Sequence, residues 1–231
     1  MTDTAAPRWT HRPHGSNWGD FGPDDQKGRM NLITPEVRMA AMREVREGKV
    51  FVLSLPLDFP GGDDEHAPRK GPRLSSNSLG GNRLCNHAIT PTDLTCDDTV
   101  TLSLQYSTQW DALVHWGRQF DVHGDGKLQP VYYNGYRAHE HVRCEADGTG
   151  FRAEALGIEN MAETGVQGRG VLVNLVKAFG TERLWVDHAM LMQAIADQGV
   201  EVRPGDMLLL YTGYGDAVMA MNRRPDEEDR K

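Results

Sequence analysis

The sequence predicts an α/β fold, on three observations. Residues 99–107 alternate polar and apolar side chains, the period of a half-buried strand. Residues 170–176 and 207–211 are short, almost continuously apolar runs, as buried strands are. Segments 34–48 and 187–199 carry helical spacing with helix start and stop residues. At 231 residues the chain can bury a sizeable core without a disulfide or a metal.

The elements follow in order. Residues 1–33, through Asn17-Trp18-Gly19 and Gly22-Pro23-Asp24-Asp25, have no period. They read as an ordered arm or lid, because Trp9 and Trp18 argue against a free terminus. At Thr34-Pro35 a helix begins, with Thr as N-cap and Pro at the first helical position. Its face is Val37, Ala40, Ala41 and Val45, and it stops at Gly48. Residues 50–57, rich in Val, Leu and Phe, read as a strand. Residues 58–98 hold Pro60-Gly61-Gly62, Gly71-Pro72 and Gly80-Gly81, and predict a long irregular excursion. The strand at 99–107 then puts Val100, Leu102, Leu104 and Tyr106 on one face. The run at 170–176 is a buried strand. Asp187 caps a helix through Gln198, with Leu191, Met192 and Ile195 inward. Arg203-Pro204-Gly205-Asp206 makes a turn into the buried strand 207–211. Residues 223–231 are a charged, solvated tail. The expected organisation is an arm (1–33), a main domain (34–222) and the tail (223–231).

Charge and cysteine usage narrow the function. The chain carries 25 Lys+Arg against 33 Asp+Glu, a net charge of −8. That excludes a protein read by nucleic acid through a basic face, and argues against an anionic membrane surface. No apolar run reaches the ~18 residues of a membrane span. The first residues lack the apolar stretch of a secretory signal. Cys85, Cys96 and Cys144 are an odd, scattered set, which predicts reduced thiols in a cytoplasm.

Three motifs fail on inspection. Gly165, Gly168 and Gly170 are in the wrong order for a dinucleotide turn and precede a strand. The run from Asp121 to Gly126 has His123 at the third position of a calcium loop and Tyr132 at the twelfth, so a simple turn is expected. His139-Glu140-His141 lacks the four-residue spacing of a zinc protease helix and reads as a solvated strand end.

The stretch that carries chemistry runs from Gln105 to Trp116. Gln105, Ser107, Gln109, Asp111 and His115 are all odd-numbered. In an extended chain they share one face. An acid, a base and two carboxamides are costly to desolvate unless they serve one another, a metal or a substrate. Trp110 and Trp116 beside them supply apolar walls, so a small-molecule pocket is expected. A straight strand would hold positions 105 and 109 about 13 Å apart. The strand must therefore break near Ser107-Thr108 for these residues to converge on one ion.

This stretch resembles the cyclase family of metal-dependent hydrolases, which includes bacterial kynurenine formamidases and isatin hydrolases. The family signature is His-x-Gly-Thr-His-x-Asp-x-Pro-x-His. Thr108, Asp111 and His115 match it. Gln105 and Gln109 stand at its first two histidines, Ser107 at the glycine and Leu113 at the proline. Asn17-Trp18-Gly19, Asn31-Leu32-Ile33-Thr34, Tyr133-Asn134-Gly135, residues 168–172, Pro204-Gly205-Asp206 and Thr212-Gly213 are similar to a longer branch with a Thr-Gln-Trp-Asp core. The likeness covers roughly residues 16–216.

The resemblance implies a swivelling β/β/α-type domain with a mixed sheet core and flanking helices. It implies hydrolysis of an amide or lactam C–N bond, arylformamidase-like, in a small cyclic or aromatic substrate. Asp111 would be a metal ligand and His115 the general base and proton shuttle. Gln105 and Gln109 would complete the metal set, and Trp110, Trp116, Tyr133 and Asn134 would contact substrate. Neutral amide oxygens in place of imidazoles favour manganese or magnesium over zinc. The same two glutamines also fit a catalytically impaired or purely binding relative; lactone or ester cleavage, or ring closure, is the other enzymatic alternative. Relatives of this kind continue beyond position 231 with further ligands. The chain is therefore expected to expose an apolar patch beside residues 207–211 and to form a homo-oligomer.

Overall fold

The structure is a computed structural model that describes residues 7–62 and 68–226. It is mixed α/β, with small sheets and few helices. The expected mixed sheet core is not what forms. Among the described residues the strands pair off into six two-stranded sheets. The chain divides into two compact units.

The first unit comprises Met1–Lys49, Asp111–Asn174 and Trp185–Leu210. Its core has two clusters. One gathers Ala112, Val114, Tyr136, Ala155 and Leu156. The other gathers Trp18, Val122 and Val131, with Trp9 and Phe120 against them. The Trp18 ring lies 6.0 Å from both Trp9 and Phe120, edge-on to the latter. Such ring pairs favour tilted packing over a flat sandwich. The hairpin Arg118–Phe120 with Gln129–Val131 supplies the wall beneath them.

The arm is held by polar bonds as well as rings. Arg8 stacks over the Tyr136 ring at 4.1 Å and pairs with Asp24. The amide of Asn134 is fully buried. Its Nδ2 donates toward the carbonyls of Gly22, Pro23 and Asp25, and its Oδ1 accepts from Gly19 N at 2.9 Å. Asn134 adopts φ +55°, a left-handed conformation that Asn tolerates better than most residues. Residues 1–6 of the expected arm lie outside the described residues.

The helix predicted at Thr34 is Pro35–Met42, with Thr34 Oγ accepting from Val37 N. It stops at Met42, six residues before Gly48, and Val45 is left 70% exposed rather than packed. The helix predicted from Asp187 is His188–Asp197, and Asp187 accepts from Met190 N at 2.9 Å. Ala194 is its buried residue, while Met192, expected inward, is exposed.

The strand expected at 170–176 is Gly170–Asn174, pairing with Met207–Tyr211. It ends early because the chain turns into the helix Leu175–Phe179, and the Gln198 side chain pairs with the last strand residue. Gln198 Oε1 accepts from Asn174 N, and its Nε2 donates to Asn174 O, each at 3.0 Å. Neither strand is buried on both sides. Val171 and Val173 are buried, whereas Leu172, Leu208 and Leu210 are exposed. Two strands have only one covered face here, so the alternation of an open sheet replaces full burial.

The turn before Met207 is pinned by Asp206, whose side chain is only 5% exposed. Asp206 accepts from Arg169 at 2.6 and 3.0 Å and from Arg203 N at 2.7 Å. Gly205 has φ +88°, and a Cβ there would meet Leu32 O at 2.8 Å. Burial pushes the Asp206 carboxyl up, but the Arg169 guanidinium and the Arg203 N–H outweigh it and hold it below its ordinary range. A depressed carboxyl stabilises the fold above its unfolded pKa of about 3.9 and loses that contribution as pH falls through the folded value. Asp206→Asn is expected to lower stability at neutral pH by roughly 1–3 kcal/mol. It should also flatten the loss between about pH 5 and pH 2. Urea titrations across that range are the check; parallel curves for both proteins would refute it.

The second unit comprises Val50–Trp110, Leu175–Leu184 and Tyr211–Lys231. It departs furthest from expectation. Residues 50–57 form no strand. Leu55 N donates to Thr108 Oγ1 at 2.9 Å rather than to a ladder. Val50, Phe51, Val52 and Leu53 are each at least 73% exposed. The alternating strand predicted at 99–107 is shortened to Asp98–Thr101, paired with Arg73–Ser76 in the register Arg73↔Thr101. All four of its residues are exposed. Leu104, expected on a buried face, is 75% exposed in a turn, so a core-Leu penalty does not apply to it. The excursion 58–98 folds into short hairpins, apart from residues 63–67, which lie outside the description. The expected solvated tail starts one residue late. Arg223 pairs with Asp58 and stacks over Phe59 at 4.4 Å. Residues 227–231 lie outside the described residues.

Candidate active site

The segment from Asp111 to Trp116 is built as a short 3-10 turn, Leu113–His115, closed by His115 N donating to Ala112 O at 3.1 Å. Ala112 and Val114 are buried in the first core cluster. Asp111 and His115 are exposed. The two apolar residues anchor the turn, and the acid and base are what it presents to solvent. This keeps the odd–even division expected here, although no strand carries it.

Beside this turn lies a cavity of about 420 Å³ in the first unit. A cavity this size suits a small ligand. Trp18, Trp116, Tyr132 and Tyr133 give it aromatic walls, with Ala112 and Leu113 contributed by the Asp111–His115 segment itself. Trp116 and Tyr133, both expected to contact substrate, therefore line it. Tyr133 is fixed by its hydroxyl, which donates to Asp25 Oδ2 at 2.8 Å. Burial, then the Asp25 carboxylate, pushes the Tyr133 phenol far above its ordinary pKa, so it stays a neutral donor.

Asn134 is placed differently from the expectation of a substrate contact. It is fully buried, and its amide is committed to the arm. Of the eleven cavity residues only Trp116 and Tyr133 were named as site residues from the sequence. Ser16 and Arg118 bring polar groups to the wall, and Tyr132 brings a ring. The Ser16 hydroxyl is buried with no hydrogen-bond partner among the described residues. Only its place beside Asn17-Trp18-Gly19 could have signalled it.

Gln105, Gln109 and Trp110 belong to the second unit. Gln105 sits in a turn in which Tyr106 N donates to Ser103 O at 3.0 Å. Ser107 Oγ donates to Pro56 O at 3.0 Å. The shared face expected of an extended chain from Gln105 to His115 is thus absent, because the chain turns over 104–108 and again over 113–115. Gln109 and Trp110 are exposed.

Among the described residues no group of three or more His, Cys, Asp or Glu could hold a metal ion. Asp111 is the one acidic member of the expected donor set. That set suits an oxygen-seeking ion and not zinc. Two of the three failed motifs, residues 121–126 and 139–141, behave as turns. Asp121 accepts from Gly124 N and Gly126 N at 2.7 Å, which holds its carboxyl low. His139 pairs with Asp147, and His141 packs edge-on to Tyr136 at 5.1 Å.

The model of the Cyclase family matches residues 52–230. A crystal structure of a novel cyclase is similar at 33% identity and a TM-score of 0.70, over 95% of this chain and 67% of that one. No curated protein matches.

Proposed function

The chain belongs to the Cyclase family, and from that premise we propose that it is a hydrolase cleaving an amide or lactam C–N bond in a small cyclic or aromatic substrate. The observation that carries the proposal is the aromatic cavity lined by Ala112 and Leu113 of the turn that carries the exposed Asp111 and His115, although neither of those two side chains is itself a wall residue. In it a flat substrate stacks against Trp18, Trp116 and Tyr133. His115 acts as general base and then returns the proton to the leaving nitrogen; imidazole suits this because its ordinary pKa lies near neutrality. Asp111 supplies the negative charge that steadies the imidazolium or an ion. Ser16, with its unpaired hydroxyl, offers a hydrogen bond to the bound molecule. The swivelling β/β/α arrangement belongs to this same reading. Turnover of an aryl formamide, followed by loss of ring fluorescence or absorbance, is the direct test. No turnover of any aryl amide or lactam would reject it.

A second reading, a relative that binds small molecules without turnover, is favoured by Gln105 and Gln109. Ligand binding that quenches Trp18 and Trp116 fluorescence, with no product formed, would select it. Lactone or ester cleavage is separated by assaying the oxygen analogue.

A divalent ion, when bound, would draw on the Asp111 carboxylate, since Gln105 and Gln109 belong to the second unit, and would supply carbonyl polarisation and an acidified water. Manganese or magnesium is the ion of choice for such donors. Zinc is expected to be lost on dialysis against a mild chelator. Stoichiometric zinc that survives dialysis would overturn the donor assignment.

No described helix is long and apolar enough to cross a membrane. A cytoplasmic setting is proposed from the three free thiols. A homo-oligomer is proposed from the exposed apolar runs. Val50, Phe51, Val52 and Leu53 are consecutive, and Leu172, Leu208 and Leu210 share a sheet. Contiguous apolar surface of this kind drives association. Sedimentation should show a species larger than 25.7 kDa. A monodisperse monomer at micromolar concentration would refute it.

A further inference from the structure

Cys85 and Cys96 lie in the second unit, and both are exposed. They flank a change of register between two hairpin strands. On one side His87 pairs with Thr95 and Ala88 with Leu94. On the other, Asp97 N donates to Leu84 O at 2.7 Å. Counting inward from Leu84–Asp97 sets Cys85 opposite Cys96, whereas counting from His87–Thr95 sets Asn86 there. One extra residue must therefore be absorbed between them. Asn86, at φ +52°, absorbs it. Such a bulge leaves two residues facing one. Cys96 thus faces Cys85 and Asn86 together.

The position next to a hydrogen-bonded pair brings opposed Cα atoms to roughly 4.5–5.5 Å. A disulfide spans about 4.4–6.8 Å. The Cys85 thiol is pushed up by Cys96, which fits two neighbouring side chains. Nothing in the proposed hydrolysis uses either thiol.

We propose that Cys85 and Cys96 form a reversible dithiol–disulfide site that reacts with small disulfides of the glutathione type. One protein thiolate attacks the small disulfide and expels one thiolate. The second protein thiolate attacks the mixed disulfide and expels the other. Two protein thiols are oxidised to the disulfide, one small disulfide is reduced, and the two protons lost by the protein thiols are taken up by the two expelled thiolates. The hydrogen bond to Cys96 and its charge push the Cys85 thiol up, so closure quickens as pH rises from 7 to 9. Cys144 is half-buried and remains a free thiol, an internal control.

The full chain is incubated with oxidised glutathione. Titratable thiols are expected to fall from three to one. Both cysteines lie between Arg83 and Arg118 with no Lys or Arg between. The tryptic peptide 84–118 should therefore lose two hydrogens in mass and regain them with dithiothreitol. Cys85→Ser and Cys96→Ser should each stop at a stable glutathione adduct. Because a short chain can also close when unfolded, the same equilibrium is measured in urea. The native chain is expected to favour the disulfide by roughly tenfold or more. Three thiols remaining, a dimer linked between chains, equal reaction at Cys144, or no advantage over the unfolded chain would each overturn the proposal.

Discussion

His115→Ala is expected to abolish amide hydrolysis while leaving the fold intact. The imidazole is exposed, and the turn that carries it is anchored by Ala112 and Val114, not by His115. Losing a positioned acid–base group costs roughly 10²–10⁴ in rate. An exposed substitution of this kind changes stability by only about 0.5 kcal/mol. The expected result is a fall in kcat of at least about a hundredfold at unchanged Tm. Added imidazole should restore part of the rate. Unchanged turnover would remove His115 from the mechanism, and a large fall in Tm would assign it a structural role. Asp111→Asn, equally exposed, should likewise reduce turnover without unfolding.

Asn134→Ala should have the largest effect on stability. The amide satisfies four backbone groups of the arm and is fully buried. Each buried polar group left without a partner costs roughly 1–3 kcal/mol. Several are orphaned at once, so a loss of about 3 kcal/mol or more is expected, or roughly 6–12 °C in Tm. The left-handed backbone adds strain for Ala that Gly would not feel. Asn134→Gly separates the two causes. It should recover only the strain and leave most of the loss. Calorimetry of both variants is the check. A shift under about 2 °C for Ala would show that the arm does not depend on this amide. Because the arm carries Ser16 and Trp18 to the cavity wall, ligand binding should weaken in parallel.

The helices were legible because their signals are local. Thr34 and Asp187 cap where sequence placed them, and a cap needs only its own turn. The Arg203–Asp206 turn was legible for the same reason, through Pro204 and Gly205. Strand extent was not legible. Residues 50–57 have strand composition but no ladder partner, and composition does not supply one. The strand expected at 170–176 ends at Asn174, where the helix Leu175–Phe179 begins and Gln198, 24 positions on, pairs with the Asn174 backbone.

The site divides in the same way. Asp111 and His115 were expected from spacing and family likeness, and Trp116 and Tyr133, expected to contact substrate, line the cavity. Asn134 could be named as special, but its burial under the arm could not, since that depends on Gly19, Gly22, Pro23 and Asp25 arriving from far upstream. Ser16, Arg118 and Tyr132 joined the cavity only through that packing. Residue chemistry, caps, turns and family were thus determined by the sequence alone, because each is written in neighbouring residues. Strand partners, the buried amide and the cavity walls were decided by tertiary structure, because each requires segments separated in sequence to meet, for the amide by more than a hundred positions.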